Sequence, residues 1–156
     1  MRIALFQPDI AGNVGTILRM SACFGVACDI IHPCGFAFSK ASLKRAGMDY
    51  LDHAQITEHA DWAAFERDIS QQQSRIILMS SKASLPLPGA IFQPSDVILM
   101  GSESAGVSTA IHEQADLRVH IPMQAGFRSL NVAVAAGIAL AEGLRQTGQF
   151  PSSHRP

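Results

Sequence analysis

The sequence predicts a single α/β domain built on a mainly parallel β-sheet with helices on both faces. Short aliphatic runs of strand length alternate along the chain with longer segments of helical period. No linker, internal repeat or low-complexity stretch divides them. The length, 156 residues, suits one hydrophobic core. Residues 1–150 are therefore read as one domain and 151–156 (PSSHRP) as a frayed tail.

The elements follow in order. RIALF, Arg2 to Phe6, reads as a short buried strand. In QPDIAGNVGTILRMSACFGV, Pro8 and the glycines mark a loop, and Asn13 is a candidate N-cap. Ile17, Leu18, Cys23 and Phe24 can form the apolar face of the helix that follows, which Gly25 would end. VACDIIHP is a second strand closed by Pro33, and FAFSKASLKRAGMDY a loop carrying a short basic helix. HADWAAFERDISQ places Trp62, Phe65 and Ile69 on one helical face. RIILMSS is a third strand, and KASLPLPGAIFQPS, with three prolines, is a loop. DVILMGSESAGVS is a strand running into a glycine loop, TAIHEQA a short helix and LRVHIPM the last strand. The final helix is expected from about Ser129 to Gln146.

Composition narrows the function classes. Hydrophobic residues make up 47% and charged residues 16%, which excludes a disordered chain. The formal net charge is −1, so any nucleic-acid surface must be a local patch. The three cysteines, Cys23, Cys28 and Cys34, are an odd number without a CxxC pair, which suits reduced thiols in a cytoplasm. The start, MRIALFQPDIAGN, lacks the apolar run of a secretory signal. From Leu130 to Ala141 only Asn131 is polar, yet this stretch falls short of the ~20 residues that span a bilayer. Its small residues (Ala133, Ala135, Ala136, Gly137, Ala139) admit a close neighbour. Being apolar all round, the helix needs burial on several sides, which favours a homodimer seam and no membrane.

Several familiar motifs are absent. GNVG is neither GxGxxG nor a P-loop, and a strand-first chain does not suit the GXXG of a KH module. His32 with Cys34, and His53 with His59, lack zinc spacing, so no metal is expected. GSESAG does not contain G-x-S-x-G. In parallel sheets ligands sit at the carboxyl ends of strands. Three such ends are polar or glycine-rich here: LMSSK, LMGSESAG and IPMQAGFRSLN.

In LMGSESAGV, Gly101 and Gly106 let backbone donors approach a ligand, and Glu103 with its serines can read hydroxyl or amino groups; an ordinary turn fits the same residues. In AGFRSLN, the residues Gly126, Arg128, Ser129 and Asn131 precede the last helix, where free N–H groups suit an anion or a carbonyl. Ser129 as a plain helix cap is the simpler reading. Arg19, in the otherwise apolar TILRMSACF, is a snorkelling arginine or a phosphate clamp. Lys40, Lys44 and Arg45 lie beside Phe36, Phe38 and Tyr50, giving either a solvated short helix or cations and aromatics for phosphates and bases.

Taken in order, PDIAGNVGTILRMSACFG, LMGSESAGV and IPMQAGFRSLNVAVAAGIALAE resemble the three motifs of the SPOUT methyltransferases. IIHPCGFAFSKASLKRAGMDYLDH and DWAAFER resemble, more narrowly, the branch of small tRNA (cytidine/uridine-2′-O-)-methyltransferases that act at the anticodon wobble nucleotide. The resemblance spans nearly the whole chain. It implies an α/β domain with a C-terminal trefoil knot, S-adenosyl-L-methionine as cofactor with S-adenosyl-L-homocysteine as product, a tRNA substrate, and a cytoplasmic homodimer with its site at the seam. Carried over by motif position, Met79, Gly101, Ile121 and Ser129 would contact the cofactor, and Met123 and Leu130 would line the adenine pocket. Asn13, Arg19, Glu103, Ser129 and Asn131 match the active-site set. Arg19 would chiefly clamp the phosphate beside the target ribose, because a guanidinium with pKa above ~12 is a poor free base. Lys40, Lys44, Arg45, Lys82 and Arg128 would form the RNA surface across both subunits.

This chain departs from the family pattern in SESAG, where a threonine or further basic residue is frequent, and in LMSSKAS, which replaces a threonine-rich strand end. No appended RNA-binding domain is expected. These departures bear on RNA choice more than on the cofactor. A 2′-O-methyltransferase of ribosomal RNA or of another tRNA position, and a non-catalytic RNA-binding dimer of the same fold, are the competing readings. A flavodoxin-like nucleotide binder also fits the α/β pattern but lacks a phosphate loop.

Overall fold

The computed structural model describes residues 1–39 and 51–152. The expected basic helix, with Lys40, Lys44, Arg45 and Tyr50, lies outside the described residues, as does the end of the tail from 153. The strands are β1 (Arg2–Phe6), β2 (Ala27–Ile31), β3 (Ile56–His59), β4 (Ile76–Met79), β5 (Leu85–Pro86), β6 (Val97–Met100) and β7 (Leu117–His120). They pair in parallel in the order β3-β2-β1-β6-β4-β7-β5. The helices are α1 (Ala11–Phe24), α2 (Trp62–Gln71), α3 (Thr109–Gln114) and α4 (Val132–Thr147).

The central strands are apolar on both faces because helices cover both. Alternate residues divide between two cores, as the period of two in a strand requires. Ile3, Leu5, Ile77 and Ile98 pack with Ile17, Leu18 and Leu140 of α1 and α4. Ala4, Phe6, Leu78 and Leu99 pack with Phe65, Ile69 and Ile111 of α2 and α3. Each fully buried Leu, Ile or Phe contributes about 1.5–3 kcal/mol relative to exposure.

Helix ends are fixed locally. Gly25 ends α1 in the left-handed region at φ 67°. The Asp61 carboxylate accepts from Ala64 N–H at 2.8 Å at the start of α2, and Ser108 Oγ accepts from Ile111 N–H at 3.3 Å at the start of α3. The Arg118 guanidinium donates to the carbonyls of His112, Glu113 and Ala115, which α3 leaves unpaired at its C-terminus. Helix α4 is tied down by its Gln146, which donates to Ala90 O and accepts from Phe92 N–H, each at 2.9 Å. Gly143 leaves room there for Met1 and Phe92; a Cβ would come within 2.6 Å of the Met1 side chain.

On the α2 face, Arg2 forks onto the buried Asp29 carboxylate and donates to Gln72 Oε1 at 2.7 Å, while His59 Nε2 lies 2.8 Å from Asp29 Oδ1. Ligand atoms of Asp29, His59 and Asp68 lie within 4.8 Å of one another. The Arg2 guanidinium already pairs with both carboxylates of this cluster, with Asp68 Oδ2 3.5 Å from it.

The structure departs from the sequence expectations at several boundaries. β3 was not anticipated: ITEH has two central polar residues and, among the described residues, lies on a sheet edge, paired only with β2. The proline-rich loop contains the two-residue β5 and a single 3-10 turn, Leu87–Gly89. Helix α1 begins at Ala11, with Ile10 rather than Asn13 at the N-cap position. Cys23, expected on the apolar face, is exposed. Helix α4 begins at Val132 and is capped by Asn131, so Ser129 is not its cap. The Asn131 carbonyl oxygen reaches the first free N–H groups, which Ser129, three residues upstream of the helix, does not.

Candidate active site

The strand register brings three of the expected cofactor positions to one edge. Met79 pairs with Met100 of β6 on one side and with Val119 of β7 on the other. Gly101 and Ile121 therefore leave the sheet on either side of Met79, at the carboxyl ends of adjacent strands. After β7 the chain forms a loop over residues 121–130, turned at Gly126 with φ 93°, a region that L-residues rarely adopt. Ile121, Met123, Phe127 and Arg128 of this loop, with His120 and Ser81, line an open cleft of about 360 Å³. Lys82, exposed, follows Ser81 directly.

Next to this edge lies a polar network joining three distant segments, 9–13, 103–104 and 131–133. Asn13, in the first turn of α1, donates from Nδ2 to Glu103 Oε1 at 2.9 Å. Its Oδ1 accepts from Asn131 Nδ2 at 3.0 Å. Asn131 Oδ1 accepts in turn from Ala133 N–H at 2.8 Å, so the chain of bonds starts at the positive end of α4 and ends on a carboxylate. The second oxygen of Glu103 accepts from Asp9 N–H at 2.8 Å. The Asp9 carboxylate accepts from the Ser104 hydroxyl at 2.6 Å and from Ser104 N–H at 2.9 Å. The hydroxyl bond first, then the backbone bond, hold the Asp9 carboxyl below the usual carboxylate range.

The loop that carries Glu103 is closed on itself. Ser102 and Gly106 exchange backbone hydrogen bonds of 3.0 and 2.9 Å. Gly101 lies against Gly106 so closely that a Cβ would meet its carbonyl carbon at 2.7 Å. Asn13, Gly101, Glu103 and Val132 line one small hollow. Both serines of SESAG are engaged internally: Ser102 Oγ with Gly106 O and Ala105 N–H, and Ser104 with Asp9.

Among the expected site residues, the structure thus joins Asn13, Glu103 and Asn131 by direct hydrogen bonds. It sets Gly101 against them and gathers Ile121, Met123 and Arg128 around the cleft. Ser129 and Leu130 are exposed in the segment between the cleft and the network. Arg19 lies on the exposed stripe of α1 with Gly12, Thr16 and Cys23, away from the buried Val14 and Leu18. Phe36 and Phe38 are half-buried against the main core. Cys34, 3.7 Å from His32 Nδ1, has its thiol pushed up to about 11, by burial first and then by the Glu58 carboxylate. A thiol in that range is not a nucleophile at neutral pH. Sequence reasoning missed Asp9 and the role of Ser104. The available signal was an acidic residue just past the carboxyl end of β1, where parallel sheets place their sites.

Comparison with known proteins matches residues 1–141 to the SpoU rRNA Methylase family. A protein of Beijerinckia indica named tRNA (cytidine(34)-2′-O)-methyltransferase is 50% identical over 146 residues, covering 94% of this chain and 91% of that one. A solved structure from work on the 2-OH methylation of C/U34 on tRNA superposes with a TM-score of 0.87 at 36% identity, covering 93% of this chain and 94% of the other. An AdoMet-bound rRNA methyltransferase from Sinorhizobium meliloti superposes with a TM-score of 0.77 at 26% identity, over 92% of this chain and 55% of the other. With the motif order, the parallel sheet and the network at its carboxyl edge, these matches establish that the chain belongs to the SpoU methylase family.

Proposed function

We propose that this protein methylates the ribose 2′-hydroxyl of the wobble nucleotide, position 34, of tRNA, using S-adenosyl-L-methionine. The observation that carries the proposal is the bonded chain Asn131–Asn13–Glu103 beside the cleft of Ile121 and Met123. The relative of half-identical sequence and the C/U34 structure support the substrate, and the AdoMet-bound relative supports the cofactor.

The residues present fit such a cofactor. The cleft offers apolar walls at Ile121 and Met123 for an adenine, and Gly101 gives the backbone a close approach. Met79, Leu130 and Ser129 complete the proposed binding set. When bound, the cofactor supplies a methyl group activated by a positively charged sulfur, so the protein's tasks are alignment and activation of the hydroxyl. Glu103, held by two donors, keeps acceptor capacity for a ribose hydroxyl, and the remaining amide hydrogens of Asn13 and Asn131 can orient the same sugar. Arg19 holds the neighbouring phosphate through its guanidinium.

The working unit in this reading is a homodimer. Val134 and Ile138, one turn apart on α4, are 51% and 39% exposed, an apolar strip suited to a second copy. Lys82 and Arg128, with Lys40, Lys44 and Arg45 outside the described residues, form the proposed RNA surface. The trefoil knot of the family and a cytoplasmic location belong to the same reading; among the described residues no helix is long and apolar enough to cross a membrane.

Methyl transfer from labelled S-adenosyl-L-methionine to unmodified tRNA and, separately, unmodified ribosomal RNA tests this, with nuclease mapping of the product. Label at the tRNA wobble ribose is expected. Label confined to ribosomal RNA or to another tRNA position would overturn the substrate. Absence of both label and cofactor binding would favour an RNA-binding role.

A further inference from the structure

We propose that Asp9 is a positioning residue for methyl transfer: it clamps the 103–104 turn onto the loop after β1 and so aims Glu103 and Asn13. The inference rests on the reading of Glu103 and Asn13 as residues that face the ribose.

Asp9 and Glu103 are held reciprocally. The Asp9 backbone N–H donates to Glu103 Oε2, and the residue after Glu103 donates both its N–H and its hydroxyl to the Asp9 carboxylate. Three bonds of 2.6 to 2.9 Å thus join two loops across 94 or 95 positions in sequence, adjacent because β1 pairs with β6. With Ser104 fixed, the Glu103 side chain has a fixed origin, and its other oxygen meets Asn13. The far side of Asp9 is walled by Gly35, where a Cβ would come within 3.0 Å of the Asp9 Cα and 3.2 Å of Oδ1. Gly35 N–H also donates to Pro8 O at 2.9 Å. Asp9 is therefore confined between the 32–39 loop and the Glu103 turn. Both lone-pair directions of Asp9 Oδ2 are taken by Ser104, so one carboxylate oxygen is committed to the clamp.

The test compares Asp9→Ala, Ser104→Ala and the double variant. A small displacement of a catalytic group costs up to about 100-fold in rate. Each single variant is therefore expected to lower kcat about 10- to 100-fold, with the affinity for S-adenosyl-L-methionine within about twofold of wild type, and the double variant to be no worse than the worse single one. Asp9→Asn, which keeps an acceptor for Ser104, should recover most of the activity. Unchanged kcat in Asp9→Ala would overturn the proposal. So would a loss in Asp9→Ala not shared by Ser104→Ala, which would give Asp9 a direct role. A second readout does not depend on the reaction: the Asn13 side-chain amide, followed by NMR, should shift toward a free amide in Asp9→Ala and in Ser104→Ala. An unmoved Asn13 resonance would overturn the proposal even if activity fell. Wild-type protein that transfers no methyl group, with the Asn13 shift as expected, would count against the functional reading and leave the clamp standing. If Asp9→Ala fails to fold, Ser104→Ala and Asp9→Asn decide both readouts.

Discussion

Replacing Gly101 by alanine separates two reasons for a glycine at the end of β6. One reason is approach of a ligand; the other is closure of the protein's own loop. The structure supplies a magnitude for the second. A Cβ at 101 would lie 2.7 Å from the Gly106 carbonyl carbon, 2.8 Å from its Cα and 3.0 Å from its oxygen. Carbon atoms in good contact are about 3.5–4.0 Å apart, so the loop must open by roughly 0.8 Å. Those atoms are backbone and cannot swing aside. The movement falls on the pair of bonds between Ser102 and Gly106, at 3.0 and 2.9 Å. Overpacking costs about 1–3 kcal/mol and each of the two weakened bonds about 0.5–1.5 kcal/mol, giving a loss of roughly 2–6 kcal/mol. For a chain of this length, at about 2–4 °C per kcal/mol, that lowers Tm by about 4–24 °C. The assay is thermal unfolding without cofactor. Gly12→Ala serves as the control, since its Cβ would meet nothing within 4 Å and its backbone lies outside the left-handed region. An unchanged Tm in Gly101→Ala together with lost cofactor binding would refute the loop-closure reasoning and make this a glycine kept for the ligand.

Arg19→Ala should cut methyl transfer about 100-fold, the scale of a lost charged hydrogen bond, with cofactor affinity close to normal; near-normal turnover would remove Arg19 from the mechanism. Asn131→Ala should lose both the α4 cap, about 1 kcal/mol, and the bond to Asn13, whereas Asn131→Asp should keep the cap and lose turnover. Thermal unfolding and kinetics on the pair check this, and full activity in Asn131→Asp would count against the network. Val134→Asp combined with Ile138→Asp should yield a monomer by light scattering; an unchanged mass would place any dimer contact elsewhere. Because only the thiolate alkylates, and burial raises the Cys34 pKa to about 11, iodoacetamide labelling of Cys34 should accelerate about tenfold per pH unit from pH 8 to 10. Mass spectrometry on a Cys23→Ser background reads the rate, and a profile that bends over near pH 9 would mean a thiol with an ordinary pKa.

Strand and helix identity were largely legible because they depend on near neighbours. IILM and VILM are apolar at every position, and RIALF and ACDII at all but the paired Arg2 and Asp29, because both sheet faces are covered; each forms its strand within the expected segment. Trp62, Phe65 and Ile69 gave α2 by their spacing. The exceptions have the same physical origin. The four residues of β3 carry three polar side chains and are held in the sheet by backbone bonds to β2, which no local pattern encodes. The start of α4 was shifted because Ser129 and Asn131 are both good caps, and only the tertiary fold, by giving the Asn131 amide a partner in Asn13, distinguishes them.

The sequence by itself determined the α/β class, the three glycine-containing motifs and the residue types that a methyl-transfer site requires. It could not specify which of those residues touch. Asn13 meets Glu103 across 90 positions and Asn131 across 118, and Asp9 meets Ser104 across 95. Those bonds exist because β6 inserts beside β1, between it and β4, so that loops remote in the chain emerge at one edge. Strand order is set by how the helices bury both faces of the whole sheet at once, a cooperative property of the packed molecule that short-range propensity does not contain.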